Sequence, residues 1–401
     1  MKHIHFAWEL GGGLGHAGRL KLLAEEAVRR GHHVTMSLRD LVHTHNVLRD
    51  INVARFQAPV WLHQVHGVPS PQVSLAEILL TCGYLNANAL QGLFVGWRSL
   101  LGSLKPDLVV ADYAPTAILA ARSLGIHSAA IGIGFSMPPD VSPLPSMRDW
   151  EAVAHGRVEA ADKQMLGSIN SVLQSTGTAP LKRAAQALQG DSPLLLTWPE
   201  LDHYGRDTLP EGQRWWGPSM LPQAGSAPVW PQGEAGPKVF AYLKTEHPDH
   251  AAVLQALVKS GCRTLCYLPS VASGKPAPVV SPLIHYASGP VDLAATLKEC
   301  ELCICHAGEG TIAPALLAGV PVLLLPTQTE QFLISRRLVT TGAAVNAAQL
   351  RRPVNYVELI ASMLGACTYR DAAQTFAKRH ANFTVAGQTQ ALVSEFERLL
   401  V

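Results

Sequence analysis

Apolar and polar positions along the first forty residues follow two periods in turn. Residues 4–8 form a short apolar run of strand length, and a glycine-rich stretch, Gly11-Gly12-Gly13-Leu14-Gly15, follows it. Over 17–30 the apolar positions recur every three or four residues, which predicts an amphipathic helix, and Gly31 stands where such a helix ends. Residues 33–38, 108–111 and 128–131 read as further strands, the last after a helix over 117–124. Strands alternating with helices imply a parallel, doubly wound sheet.

The alternation stops between 205 and 237, where 12 of 33 residues are Gly or Pro. That composition reads as a linker. Strands at 239–243, 264–268, 302–305 and 320–325, with helices at 249–260 and 312–318, then announce a second sheet. The expectation is α/β: a Rossmann-like domain over 1–204, the linker over 205–237 and a second Rossmann-like domain over 238–387. A ligand cleft is expected between them at the carboxyl ends of the strands. A last amphipathic helix, 388–401, is placed to cross back onto the first domain.

With 401 residues, 48% hydrophobic and 15% charged, the chain has apolar material for two cores. A net charge of +2 without a basic block leaves no footprint for nucleic acid. The opening residues include His3, His5 and Glu9, so they lack the apolar core of a signal peptide, and the apolar stretch 312–326 is too short for a bilayer and is broken by Pro314, Gly319 and Pro321. A cytoplasmic protein without a transmembrane segment is expected, with peripheral membrane contact left open. Seven cysteines, an odd number, fit reduced thiols. Cys300, Cys303, Cys305 and His306 resemble a metal cluster in spacing, but no second ligand pair follows. Cys303 and Cys305 alternate onto one face of a strand, so they read as core thiols and no metal is expected.

The richest chemistry lies in His306-Ala307-Gly308-Glu309-Gly310-Thr311, between a strand and a helix. Gly308 and Gly310 admit close approach of an anion, the helix start offers free N–H groups at the positive end of its dipole, and Thr311 adds a hydroxyl. His306 is placed to donate to the same phosphates. Beyond the next strand, Glu330 and Gln331 set a carboxylate beside an amide, a pairing suited to sugar hydroxyls.

Residues 305–331 resemble the donor signature of family-1 glycosyltransferases, the UDP-glycosyltransferase-like enzymes of GT-B fold. Their pattern, His-Gly-Gly-x-Gly-Thr/Ser, then Ala-Gly-Val-Pro, then Pro with an Asp/Glu-Gln pair, is met in register by Ala318-Gly319-Val320-Pro321 and Glu330-Gln331. Trp216-Gly217-Pro218 at the linker extends the likeness of layout. The resemblance implies two Rossmann-like domains facing a central cleft, diphosphate held by His306, Gly308, Gly310 and Thr311, and sugar held by Glu330 and Gln331. Ala307 replaces a glycine, a mild departure, and Ser288-Gly289-Pro290-Val291 stands where the family carries its base-stacking Trp-x-Pro-Gln.

Gly13-Leu14-Gly15-His16-Ala17-Gly18, with Asp40 22 residues beyond Gly18, also fits a dinucleotide fingerprint. An NAD-dependent oxidoreductase is therefore the competing reading, although it leaves His306–Thr311 without a purpose. A lipid-linked transferase resembling MurG, a nucleotide-sugar 2-epimerase and a nucleotide-sugar sensor share parts of the pattern. In the glycosyltransferase reading His16 is the general base, Asp112 matches the family's orienting acid, and transfer is inverting. Arg19 takes the place where many relatives carry proline. Trp61, His63 and Phe135 are expected to line the acceptor site, with His66, Tyr84 and Phe94 nearby in the chain. No Asp-x-Asp pair occurs, so a metal-bridged diphosphate is not implied. The expected partners are a nucleotide sugar, UDP- or dTDP-hexose, and a small-molecule acceptor, with no cofactor.

Overall fold

The computed structural model describes residues 1–220, 225–233 and 235–400. Two six-stranded, all-parallel sheets organise it. The first contains β1 (His3–Trp8), β2 (His33–Leu38), β3 (Ala54–Gln57), β4 (Leu108–Asp112), β5 (His127–Gly132) and β6 (Ser192–Leu195), in the order β3-β2-β1-β4-β5-β6. The second contains β7 (Lys238–Tyr242), β8 (Arg263–Tyr267), β9 (Ile284–Tyr286), β10 (Leu302–Cys305), β11 (Val322–Leu324) and β12 (Ala344–Asn346), in the order β12-β11-β10-β7-β8-β9. Both wind outward from a central pair and reverse once, between β1 and β4 and between β7 and β10. This is the doubly wound arrangement expected from the sequence, and its reversal points are where such sheets open a crevice.

The strands form here because their apolar runs can be covered by helices on both faces, as parallel sheets require. Residues of β4 are buried throughout, and Phe6, Trp8, Met36, Val110 and Ile131 share one core with Leu20 of the helix Leu14–Arg29. The outer strands β3, β6, β9 and β12 are three or four residues long and were not announced by the periodicity. An edge strand needs few apolar side chains, so it leaves little pattern to read.

The chain folds as two compact units, one of Met1–Gly217 completed by the segment from Thr384 onward, the other of Pro218–Phe383. In the first unit the segment entering Gly217 is tied to β6, with Trp216 N donating to Leu195 O at 2.9 Å and Gly217 N to Thr197 O at 3.1 Å. The helix Val385–Leu399 packs Leu392, Val393 and Phe396 into the same core. Arg30 reaches Glu397 at 2.7 Å, and the Gln388 amide donates to Trp216 O at 2.9 Å. Burial of a phenylalanine such as Phe396 is worth about 1.5–3 kcal/mol, more than either polar contact. The sequence-based linker, 205–237, includes 221–224 and 234, which lie outside the described residues.

Among the described residues no single helix is long and apolar enough to cross a membrane. One bent pair, Leu75–Tyr84 and Ala87–Leu104, passes that test together at an angle of 76°. Its Tyr84, Leu90, Phe94, Trp97 and Leu101 are buried within the protein.

Candidate functional site

Trp8 and Asp112 are register partners at the carboxyl ends of β1 and β4, so the residues that follow them emerge together at the first reversal point. Gly11 has φ +77, and Gly13 (φ +90) caps the helix Leu14–Arg29. This tight turn sets His16 in the first helical turn, its ring stacked on Trp8 with centroids 5.1 Å apart and planes 15° apart. A Cβ at Gly11 would lie 2.8 Å from His16 Nε2. Glycine is needed there both for the backbone angle and for the imidazole.

Asp112, fully buried, faces the His16 imidazole and the Arg19 guanidinium. Nδ1 of His16 lies 3.0 Å from its Oδ2, close enough for an ion pair but off hydrogen-bond alignment, and Nη1 of Arg19 donates to Oδ1 at 2.9 Å. Burial alone would raise the Asp112 pKa; Arg19 and, after it, His16 overcome that and hold it below the ordinary value. A carboxylate against Nδ1 leaves Nε2 of His16, the atom beside Gly11, to accept a proton. Arg19, noted in the sequence only as a departure, thus shares the carboxylate with His16.

Sequence reasoning missed Glu9. It is buried directly after β1 and accepts from Thr116 N at 2.8 Å and Thr116 Oγ1 at 2.5 Å, at the start of the helix Pro115–Ser123. Burial pushes its pKa up to about 7, against the opposing hydrogen bonds. Its one signal in the sequence is a charge at the end of an apolar strand.

The aromatic residues separate. Tyr84 and Phe94 are fully buried, with the Tyr84 hydroxyl 2.7 Å from Thr116 Oγ1, which places them in the core. Trp61 is half-buried and meets the exposed His63 edge-on at 5.1 Å, while His66 is exposed. Phe135, half-buried, packs against His203 at 6.0 Å. Asp40, the ribose-binding residue of an NAD reading, spends its carboxylate on the helix Leu41–Leu48, accepting from Val42 N, His43 N and the His43 ring.

In the second unit Cys305 is the register partner of Tyr242, so His306 and Leu243 leave neighbouring strands at the second reversal point. His306 is 8% exposed, sits edge-on to Tyr242 at 4.6 Å and has an unpartnered Nδ1. Burial, reinforced by the charge of Lys244, pushes its pKa down to about 4, leaving a neutral imidazole. The helix Glu309–Leu317 begins three residues earlier than the sequence pattern suggested, with Gly308 as its cap and no side-chain cap bond. A Cβ on Gly308 would lie 3.4 Å from His306 Nε2, so the imidazole stands over this helix start. Gly310 is exposed in the first turn, and Thr311 is buried with its N–H on Gly308 O at 2.9 Å. Ala307 adopts φ +64. That conformation costs an L-residue about 1–2 kcal/mol, so replacement of glycine here is less mild than the sequence implied.

Gln331 is buried, and its side-chain carbonyl accepts from Thr327 N at 2.9 Å and Thr327 Oγ1 at 3.0 Å. Only its amide nitrogen stays available to a ligand. Glu330 is half-buried in the first turn of the helix Thr329–Val339. Beside this loop lies a cavity of about 620 Å³ lined by Lys244, Glu246, Ser270, Lys275, Thr327 and Gln328 among others. The two lysines were not singled out from the sequence, where single lysines in loops carry no pattern. Among the described residues no cluster of three His, Cys, Asp or Glu has the arrangement of a metal site.

Comparison with known proteins agrees with these two halves. Residues 286–387 match the family model described as erythromycin biosynthesis protein CIII-like, C-terminal domain. The chain is 24% identical over 373 residues to a zeaxanthin glucosyltransferase of Pseudescherichia vulneris, covering 87% of each. Among solved structures it is similar to the glycotransferase of kitacinnamycin (TM-score 0.73, 18% identity, 100% and 99% of the two chains). It is also similar to spinosyn rhamnosyltransferase complexed with thymidine diphosphate (TM-score 0.66, 17% identity, 99% and 100%).

Proposed function

We propose that the chain, similar to glycosyltransferases in sequence and of GT-B fold, carries out an inverting transfer of a hexose from UDP- or dTDP-hexose to a hydroxyl of an apolar small molecule, as a glycosyltransferase of family-1 type. The observation that carries it is the His16 imidazole with Asp112 at one nitrogen and Gly11 at the other. An alcohol is a poor nucleophile until its proton is removed. His16 Nε2 takes that proton as the acceptor oxygen forms its bond to the anomeric carbon. The bond from that carbon to the diphosphate oxygen breaks with its electron pair, and a single displacement inverts the centre. Asp112 stabilises the imidazolium that forms.

Charge leaving on the diphosphate needs donors already in place. The uncapped start of Glu309–Leu317, His306 and Thr311 are the groups we assign to it. Glu330 and the Gln331 amide nitrogen are assigned to the sugar hydroxyls. Trp61, His63 and Phe135 are assigned to the acceptor. A relative of this fold complexed with thymidine diphosphate supports a nucleoside diphosphate as the leaving group, and a relative named for zeaxanthin, a largely hydrocarbon alcohol, supports an apolar acceptor.

His16→Ala should lower turnover about 10²–10⁴-fold, the range of a lost general base, while donor affinity stays near that of the unaltered protein. His306→Ala should instead weaken donor binding. Unchanged turnover in His16→Ala removes the base assignment, and a product that keeps the donor's anomeric configuration removes the single displacement.

A further inference from the structure

We propose that Lys244 is the cation that pairs with the donor's diphosphate, an inference resting on the donor site described above. The sheet puts it there. Lys244 lies two residues past the end of β7, and His306 one residue past the end of β10, and these strands are hydrogen-bonded neighbours in register from Leu302–Val239 to Cys305–Tyr242. Both side chains therefore start from the same carboxyl edge at the point where the sheet reverses.

Three further observations point to an anion between them. Lys244 is half-buried, lines the 620 Å³ cavity with Lys275, Ser270 and Thr327, and has no ion-pair partner among the described residues. One carboxylate, Glu246, lines the same cavity, and none is within salt-bridge distance of the ammonium. The charge of Lys244 also reaches His306, whose Nδ1 is buried and unpartnered above a helix start without a side-chain cap. A lone ammonium, an imidazole kept neutral and an uncapped helix N-terminus repel or ignore one another when empty. Two phosphate groups satisfy all three at once. A lysine acts as a movable point charge, which suits a phosphate whose charge grows as the glycosidic bond breaks.

The experiment is calorimetric titration of the full chain with thymidine diphosphate, uridine diphosphate and the two bare nucleosides, using unaltered protein, Lys244→Ala, Lys244→Arg and His306→Ala. The expected result is a 10- to 100-fold loss of diphosphate affinity in Lys244→Ala, most of it restored in Lys244→Arg. Nucleoside affinity should stay within about twofold throughout. Lysine at a half-exposed loop position leaves folding intact, checked by an unchanged melting temperature. Diphosphate binding in Lys244→Ala within twofold of the unaltered protein, with His306→Ala still impaired, overturns the lysine assignment and leaves the donor site standing. An equal loss for nucleoside and diphosphate overturns it too, because the lysine then serves the nucleoside. Absence of diphosphate binding by the unaltered protein takes down the donor site and the lysine together.

Discussion

His16 and Arg19, one helical turn apart, each take one oxygen of the buried Asp112, at 3.0 Å and 2.9 Å. The helix Leu14–Arg29 puts positions i and i+3 on one face, and β4 delivers the carboxylate to it. Asp112→Asn keeps the shape but removes the charge that both side chains face. Turnover should fall about 10²–10⁴-fold while thymidine diphosphate affinity is unchanged, because no donor-site residue is touched. A matched loss of affinity in titrations would show that Asp112 acts on the donor instead.

Gly11 tests how closely the imidazole is held. In Gly11→Ala the new methyl meets His16 Nε2 at 2.8 Å on a backbone at φ +77, so the imidazole must move. The backbone term alone costs about 1–2 kcal/mol. Gly12→Ala is the control, since nothing lies within 4 Å of its Cβ and its φ is not in the left-handed region. Turnover and melting temperature should both fall in Gly11→Ala and stay close to normal in Gly12→Ala. Equal behaviour of the two variants would mean that the His16 position is not set by this contact.

Acid should weaken the first unit. Burial pushes the pKa of His5 down to about 3 and that of His203 to about 4, from 6.5. Below pH 6.5 the unfolded chain binds protons at both sites and the folded unit does not, so stability falls as pH falls; His3, also lowered by burial, adds to this. Glu9 opposes it. Raised by burial to about 7 from 4.5, it keeps its proton when folded over a range where the unfolded chain has released it, and so costs stability as pH rises. Between pH 4.5 and 6.5 the histidines outweigh the one carboxyl, so stability falls as pH falls, by on the order of 1 kcal/mol per pH unit. Urea midpoints across that window should show His203→Gln flattening the dependence. A slope identical to that of the unaltered protein would put the titration elsewhere.

Eight of the twelve described strands were legible in the chain, and they are the inner four of each sheet. Inner strands are covered on both faces and flanked on both sides, so most of their positions are apolar and the run stands out. Outer strands such as Ser192–Leu195 and Ala344–Asn346 hold their place by pairing with a neighbour already in the sheet, and pairing leaves no mark in composition. The same distinction separates the candidate site residues. His306, Gly308 and Gly310 were visible because a glycine turn between strand and helix needs particular residues at adjacent positions. Glu9, Arg19 and Lys244 were not, because each meets as its neighbour in the fold a residue 62 to 107 positions away in the chain.

The sequence by itself determined two parallel α/β halves, the glycine turns that open their helices, and the histidine attached to each turn, all set by local apolar period and backbone freedom. Only the tertiary structure decided that Asp112 is shared with Arg19, that Tyr84 and Phe94 are core, and that Lys244 stands beside His306. Burial and charge pairing depend on which strands become neighbours, and strand order is settled by packing the whole sheet.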